Sequence, residues 1–151
     1  MQLSRFSFTT ATALALLVSA AVNAAETDPQ ALLAKARAEQ PAYLDTLKTL
    51  VAVDTGTGTK PGLDQVSALL VKRLESLGAK VETSPASPSA GDNIVGTFKG
   101  TGNKDFLLMV HYDTVFGPGT VAKRPFRTEG ERAYGPGVAD AKGGVAMILH
   151  A

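Results

Sequence analysis

An apolar run, residues 106–110, leads directly into two ligand-type residues, His111 and Asp113. A continuous apolar run of this length is typical of a strand that is covered on both faces. Open α/β sheets place their functional sites at the carboxyl edge of such strands. The run therefore predicts an α/β domain whose functional residues follow the end of a buried strand.

His111 and Asp113 are two residues apart, so an extended backbone directs both side chains to the same side. One of them can then bind a metal while the other supports it, because a carboxylate beside a ligating imidazole fixes the ring and raises its basicity. Taken alone, the motif is weak, and a surface turn after a strand explains it equally well. The chain has no cysteine, so a metal would be held by histidine and carboxylates, which suits a catalytic zinc better than a structural one.

A second informative segment is residues 135–144, which contains four glycines and one proline. Such a composition dictates a tight backbone path. Asp140 lies where this path turns into a helix that we predict from Ala141 onward. Aspartate at this position can cap the helix or bind a metal, and the two roles do not exclude each other.

Two further helices are predicted upstream. Residues 28–53 have a capping aspartate and a proline in the first turn, and Pro41 should divide this stretch into two helical pieces. Residues 63–77 keep an apolar period of three to four residues, and Gly78 should end that helix.

Strands are predicted at residues 80–83 and 93–98, and a hairpin at residues 126–134. Residues 54–62 superficially resemble a phosphate-binding loop but lack the G-x-x-x-x-G-K-[ST] spacing, so we interpret them as a connection. The order of elements indicates an α/β domain with a mixed sheet flanked by helices.

The N-terminal segment has the pattern of a secretory signal peptide, residues 1–24, with Arg5, an apolar run and small residues before the cleavage position. A membrane anchor is the alternative, but the apolar run is short for a bilayer. We therefore expect a periplasmic or secreted domain, residues 25–151, with no membrane association after cleavage. Loss of Arg5 leaves equal numbers of basic and acidic residues, and without basic runs no nucleic-acid partner is expected.

Taken together, residues 111–115 and the G-x-G-x-x-D-x-K-G-G pattern of residues 135–144 resemble the zinc-binding core of the M20 metallopeptidase family. The resemblance extends upstream to residues 55–58 and 92–96. The Gly-Pro-Gly sequence and the secretion signal favour the glutamate carboxypeptidase branch. The resemblance implies the N-terminal part of a zinc-exopeptidase catalytic domain, incomplete and without the lid and dimerisation domain of the family.

The resemblance also implies roles for individual residues. His111 would bind one zinc, Asp140 would bridge two zinc ions in the complete active site, and Asp113 would be the catalytic-site residue that orients His111. A cis peptide bond is implied between Asp140 and Ala141. The general base and the remaining zinc ligands would lie beyond Ala151, since His150 matches no ligand position and is interpreted as a helix residue.

The implied reaction is hydrolysis of a C-terminal amide in a small peptide or N-acyl amino acid, with release of glutamate or a similar amino acid, by a full-length homodimer. This chain alone would be inactive. A non-functional fragment, or another M20 specificity such as aminoacylase, dipeptidase or desuccinylase, remains an alternative. A serine hydrolase is disfavoured because the G-x-S-x-G and S-x-x-K motifs are absent. A periplasmic solute-binding protein would not explain the Asp140 motif.

Overall fold

The computed structural model describes residues 28–151, and the predicted signal peptide lies outside the described residues. The helices are α1 (Pro29–Val51), α2 (Lys60–Ser76), α3 (Thr120–Lys123) and α4 (Gly143–Leu149). The strands are β1 (Lys80–Pro85), β2 (Asp92–Thr97), β3 (Arg127–Glu129) and β4 (Arg132–Tyr134). Helices and antiparallel strand pairs follow one another along the chain, and the α/β class predicted from the sequence is confirmed.

Helix α1 begins as predicted and then departs from the prediction. The Asp28 carboxylate accepts a hydrogen bond from the Gln30 amide at 3.0 Å, with Pro29 in the first turn. The predicted division at Pro41 is wrong, because α1 is one helix that continues through the proline. Proline removes one main-chain donor, but residues 28–42 are exposed, so water can hydrate the carbonyl group that loses its partner.

Helix α2 and the two hairpins follow the sequence pattern closely. Gly78 ends α2 with a φ of +91°, and the Ala79 amide donates to the Leu74 carbonyl at 3.0 Å. Strands β1 and β2 are antiparallel, with a register from Lys80 opposite Thr97 to Pro85 opposite Asp92.

The second hairpin, formed by β3 and β4, turns at Gly130, whose φ is +56°. An isolated parallel bridge joins Gly56 to Thr114. Two small antiparallel sheets and this bridge thus stand where we expected one mixed sheet.

Residues 106–110 differ most from the sequence prediction. They form no strand in the described part of the chain, and the side chains of Phe106, Leu107 and Met109 are 85%, 85% and 86% exposed. The prediction of a strand covered on both faces is therefore wrong for residues 28–151. An apolar sequence can require covering neighbours, but it cannot supply them. Among residues 28–151, Val110, which lies against Gly144 of α4, is the least exposed of the five side chains.

The core is formed by one face each of α1, α2 and α4. Its buried members are Leu47, Leu50, Val51, Val66, Leu70, Val145, Ala146 and Leu149. Because α4 follows directly after Asp140, this core fixes the position of the segment that carries Asp140. None of the helices among residues 28–151 combines the length and the apolar character needed to cross a membrane.

The exposed apolar run predicts self-association of the chain, since contiguous exposed apolar side chains favour association. Leu107→Lys should increase the monomer fraction in sedimentation velocity experiments. Leu32→Lys is the matched control, because Leu32 is another exposed leucine and lies on α1. It should change association little. Equal monomer fractions for the unmodified chain and Leu107→Lys would contradict this role of residues 106–110.

Candidate functional site

The segment that carries His111 and Asp113 is anchored on one side by the loop after α1. The Thr114 amide donates to the Thr55 carbonyl and the Thr57 amide donates to the Thr114 carbonyl, both at 2.8 Å. These two bonds form the parallel bridge around Gly56. A Cβ atom on Gly56 would lie 2.5 Å from the Phe116 carbonyl oxygen, so the close approach of the two segments requires glycine.

Tyr112 anchors the same segment on its other side. Its hydroxyl accepts a hydrogen bond from the Asp92 amide and donates one to the Asp92 carbonyl, both at 3.0 Å. Asp92 is the first residue of β2. The segment is therefore held between the loop after α1 and the β1–β2 hairpin.

His111 lies between two carboxylates. Its Nδ1–H group donates to Asp113 Oδ1 at 3.0 Å and to the Asp113 carbonyl at 3.1 Å. Its Nε2 atom lies 2.9 Å from Asp140 Oδ1. The structure thus brings together the three residues that the sequence singled out, although they come from two segments of the chain.

Asp140 lies in an irregular turn, Val138–Lys142, that leads into α4. The Asp140–Ala141 peptide bond is cis, as the resemblance implied, and the backbone angles of both residues are non-helical. Helix α4 begins at Gly143, two residues later than predicted. Its N-cap residue is Lys142, with no side-chain capping bond. Asp140 therefore does not cap the helix, and its carboxylate faces His111 instead.

The charges around His111 favour its cationic form. Burial lowers the pKa of the imidazole, but hydrogen bonds to Asp140 and Asp113 outweigh this effect, so the pKa of His111 is raised. Hydrogen bonding from the Thr57 hydroxyl is the main cause that lowers the pKa of Asp113; partial burial opposes it and His111 adds to it. The carboxylates thus attract a positive charge at Nε2, whether it is a proton or a metal ion that displaces the proton.

The donor atoms at this point fit part of a zinc site. An imidazole nitrogen and a carboxylate oxygen are common zinc ligands, and a catalytic zinc normally takes three protein ligands. Within residues 28–151 no three histidine, cysteine, aspartate or glutamate side chains are arranged to hold a metal ion. His111 and Asp140 would therefore supply two donors of a larger set.

His150 is remote from this pair of donors. It lies at the C-cap of α4, directly after the helix, and its nitrogens contact the Thr46 hydroxyl at 2.9 Å and a Glu39 carboxylate oxygen at 3.2 Å. These contacts join the end of α4 to α1.

Sequence reasoning missed three supporting residues. Asp54 and Thr57 lie in the loop interpreted as a connection, but Asp54 accepts hydrogen bonds from the Gly119 and Val121 amides at 2.7 and 3.0 Å. Lys142 is buried, and its ammonium group donates to the Val53 carbonyl at 2.7 Å. The resemblance at residues 55–58 was a signal for the loop, but no sequence pattern shows that Lys142 is buried.

Comparison with known proteins agrees with the resemblance. The profile of the family described as Peptidase family M20/M25/M40 matches residues 107–151. The chain is 52% identical over 113 residues to carboxypeptidase G2 of a Pseudomonas species (strain RS-16), covering 74% of this chain and 27% of that protein. The predicted resemblance to this family is confirmed.

Acetylornithine deacetylases are more distant relatives. The chain is 35% identical over 119 residues to that of Proteus mirabilis, covering 74% of this chain and 30% of the relative. For the enzyme of Salmonella arizonae the identity is 34% over 118 residues, with coverage of 74% and 31%. The chain thus spans less than a third of the length of these three relatives.

Burial of Lys142 predicts a pH dependence of stability. Burial, opposed by the charge of Asp54, lowers the pKa of Lys142 from 10.5 to about 8. Between these pH values the unfolded chain binds more protons, so the free energy of unfolding should rise as the pH rises. Over the whole titration the rise from this group is about 3 kcal/mol, since the two pKa values differ by about 2.5 and each pKa unit corresponds to 1.36 kcal/mol.

Urea unfolding between pH 8 and pH 10.5 measures this rise. Lys142→Met should lose this part of the pH dependence, whereas Lys48→Met, which replaces an exposed lysine of α1, should keep it. If the unfolding free energies of Lys142→Met and the unmodified chain changed with pH in parallel, burial would not lower the pKa of Lys142.

Proposed function

We propose, from the similarity of residues 107–151 to peptidase family M20/M25/M40 and of the chain to carboxypeptidase G2, that His111, Asp113 and Asp140 are part of the active site of a zinc-dependent exopeptidase. The observation that supports this most directly is the 2.9 Å approach of His111 Nε2 to Asp140 Oδ1. An imidazole and a carboxylate from separate segments converge there, and the imidazole is already oriented by Asp113.

His111 Nε2 and the Asp140 carboxylate are the proposed metal donors. Asp140 can be shared between two zinc ions because a carboxylate has two oxygens, whereas the imidazole offers one free nitrogen. When bound, zinc would polarise the scissile carbonyl group and lower the pKa of the attacking water to about 7.

Asp113 has the supporting role. Asp113 accepts a hydrogen bond from the Nδ1–H group of His111. This bond favours the tautomer whose Nε2 lone pair is free for the metal, and it fixes the ring plane. Carboxylate partners of this kind also raise the basicity of the imidazole. In the metal-free form the same carboxylates favour protonation of Nε2, so metal binding should release a proton.

Similarity to two kinds of relative supports amide hydrolysis as the reaction. One relative is named for carboxypeptidase activity and others for deacetylation of acetylornithine, and both names describe cleavage of an amide bond. The higher identity, 52% against 35%, favours the carboxypeptidase. We therefore propose a small peptide or N-acyl amino acid as the substrate, with release of a C-terminal glutamate or similar amino acid.

The proposed activity belongs to a protein as long as these relatives. The described residues hold no complete metal site, and the chain covers 27% to 31% of each of the three relatives. We therefore propose that residues outside this chain supply the general base, the remaining ligands and the contacts of a homodimer. The 151-residue chain by itself should be inactive.

Export to the periplasm or medium is part of the proposal and is supported by the signal-peptide pattern of residues 1–24. Mass spectrometry of the exported protein should find Ala25 at the N-terminus. A cytoplasmic protein that keeps Met1 would show that this segment is not cleaved.

The activity is tested on a protein that contains this sequence and is as long as the relatives. We expect it to release glutamate from N-acylglutamates faster than acetate from N-acetylornithine, to lose activity with a zinc chelator, and to regain it with added zinc. Asp140→Asn should reduce kcat/KM at least about 100-fold, because even outer partners of metal ligands contribute 10- to 100-fold.

Asp105→Asn is the matched control, since Asp105 is exposed and lies outside both motifs. It should keep the activity of the unmodified protein. Activity that is insensitive to the chelator and to Asp140→Asn would contradict the zinc site. Preferential deacetylation of N-acetylornithine would contradict the proposed specificity and leave the metal chemistry intact.

A further inference from the structure

Thr57 makes a contact that sequence reasoning did not assign to the site. Its hydroxyl donates to Asp113 Oδ2 at 2.6 Å, while Asp113 Oδ1 accepts from His111 Nδ1–H at 3.0 Å. We propose that Thr57 is a positioning residue, which fixes the Asp113 carboxylate and through it the ring of His111. The inference deepens the proposed function and rests on it for its consequence in zinc binding.

The backbone of Thr57 is itself fixed relative to Asp113. Its amide donates to the carbonyl of Thr114, the residue after Asp113, at 2.8 Å. The neighbouring Gly56 is in the parallel bridge to Thr114. The Thr57 side chain therefore starts from a position that the main chain holds, although the residue is exposed.

The single proton of the Thr57 hydroxyl has two acceptors within reach. The Asp113 Oδ2 atom lies at 2.6 Å and the Thr114 carbonyl oxygen at 3.2 Å. Hydroxyl bonds to a carboxylate are stronger and have lengths of about 2.5–2.7 Å. The distances therefore assign the proton to the bond with Asp113.

This bond leaves each carboxylate oxygen of Asp113 with one partner. The terminal torsion of aspartate is broad and roughly two-fold, so a carboxylate held at one oxygen alone can rotate. Loss of the Thr57 hydroxyl would free Oδ2 and weaken the alignment of Oδ1 with His111 Nδ1. The orientation of His111 thus depends on Thr57 through the Asp113 carboxylate that both residues bind.

The tautomer of His111 reports this alignment without any metal. The carbonyl oxygen and Oδ1 of Asp113 both lie at Nδ1 and favour a proton there. Asp140 Oδ1 lies at Nε2 and favours a proton on that nitrogen. Because the two sides compete, a looser Asp113 shifts the ratio towards the Nε2–H form. Nitrogen-15 shifts of the ring, measured at a pH where His111 is neutral, give this ratio directly.

Three substitutions in one loop separate positioning from packing. Thr57→Val keeps the shape and removes the hydroxyl, so it should increase the Nε2–H fraction. Thr57→Ser keeps the hydroxyl and should restore the ratio of the unmodified chain. Thr55→Val is the matched control, because the buried Thr55 hydroxyl has no hydrogen-bond partner among residues 28–151.

The second readout is zinc affinity of the natural protein with its remaining ligands, measured by competition with a chelating dye. Thr57→Val should weaken zinc binding about 10-fold, the lower end of the range for outer partners. Thr57→Ser and Thr55→Val should bind zinc like the unmodified protein. Thr57→Ala provides the same test if the valine variant does not fold.

The outcomes distinguish this inference from the function on which it rests. An unchanged tautomer ratio in Thr57→Val and Thr57→Ala overturns the positioning role, even if the protein binds zinc. A shifted ratio in a protein that binds no zinc supports the positioning role and contradicts the proposed function. Equal shifts in Thr57→Val and Thr55→Val would mean that packing of the loop is responsible, and would also overturn the inference.

Discussion

Two main-chain hydrogen bonds to Thr114 hold the candidate site together. They lay the loop after α1 beside the segment that carries His111 and Asp113, and the absence of a side chain at Gly56 permits the close approach. They place Thr57 beside Asp113, while the Tyr112 hydroxyl ties the other side of that segment to the β1–β2 hairpin. The geometry of the charged side chains is thus a consequence of an uncharged main-chain contact.

The site and the core share one turn. Helix α4 contributes three buried side chains to the core, and the residues just before it carry Asp140 and the buried Lys142. The ammonium group of Lys142 donates a hydrogen bond to the Val53 carbonyl, just after the end of α1. Packing of apolar side chains on one side of this turn therefore determines where a carboxylate is presented on the other side.

Local features were predictable from the sequence, and tertiary ones were not. The Asp28 cap, the end of α2 at Gly78 and the hairpin around Gly130 follow from residue chemistry within a few positions. The convergence of the two motifs was predicted only through the family resemblance. The continuous helix through Pro41 and the exposure of residues 106–110 depend on what surrounds them, and the Thr57–Asp113 bond depends on two segments 56 residues apart in sequence.

We propose above that His111 and Asp140 bind the same zinc ion, with Asp113 hydrogen-bonded to the other imidazole nitrogen. Diffraction from crystals of the natural protein grown with zinc, recorded on both sides of the zinc absorption edge, tests it most directly. We expect an anomalous peak about 2.0–2.2 Å from both His111 Nε2 and an Asp140 oxygen. A zinc peak elsewhere, with these two atoms still in contact with each other, would contradict it.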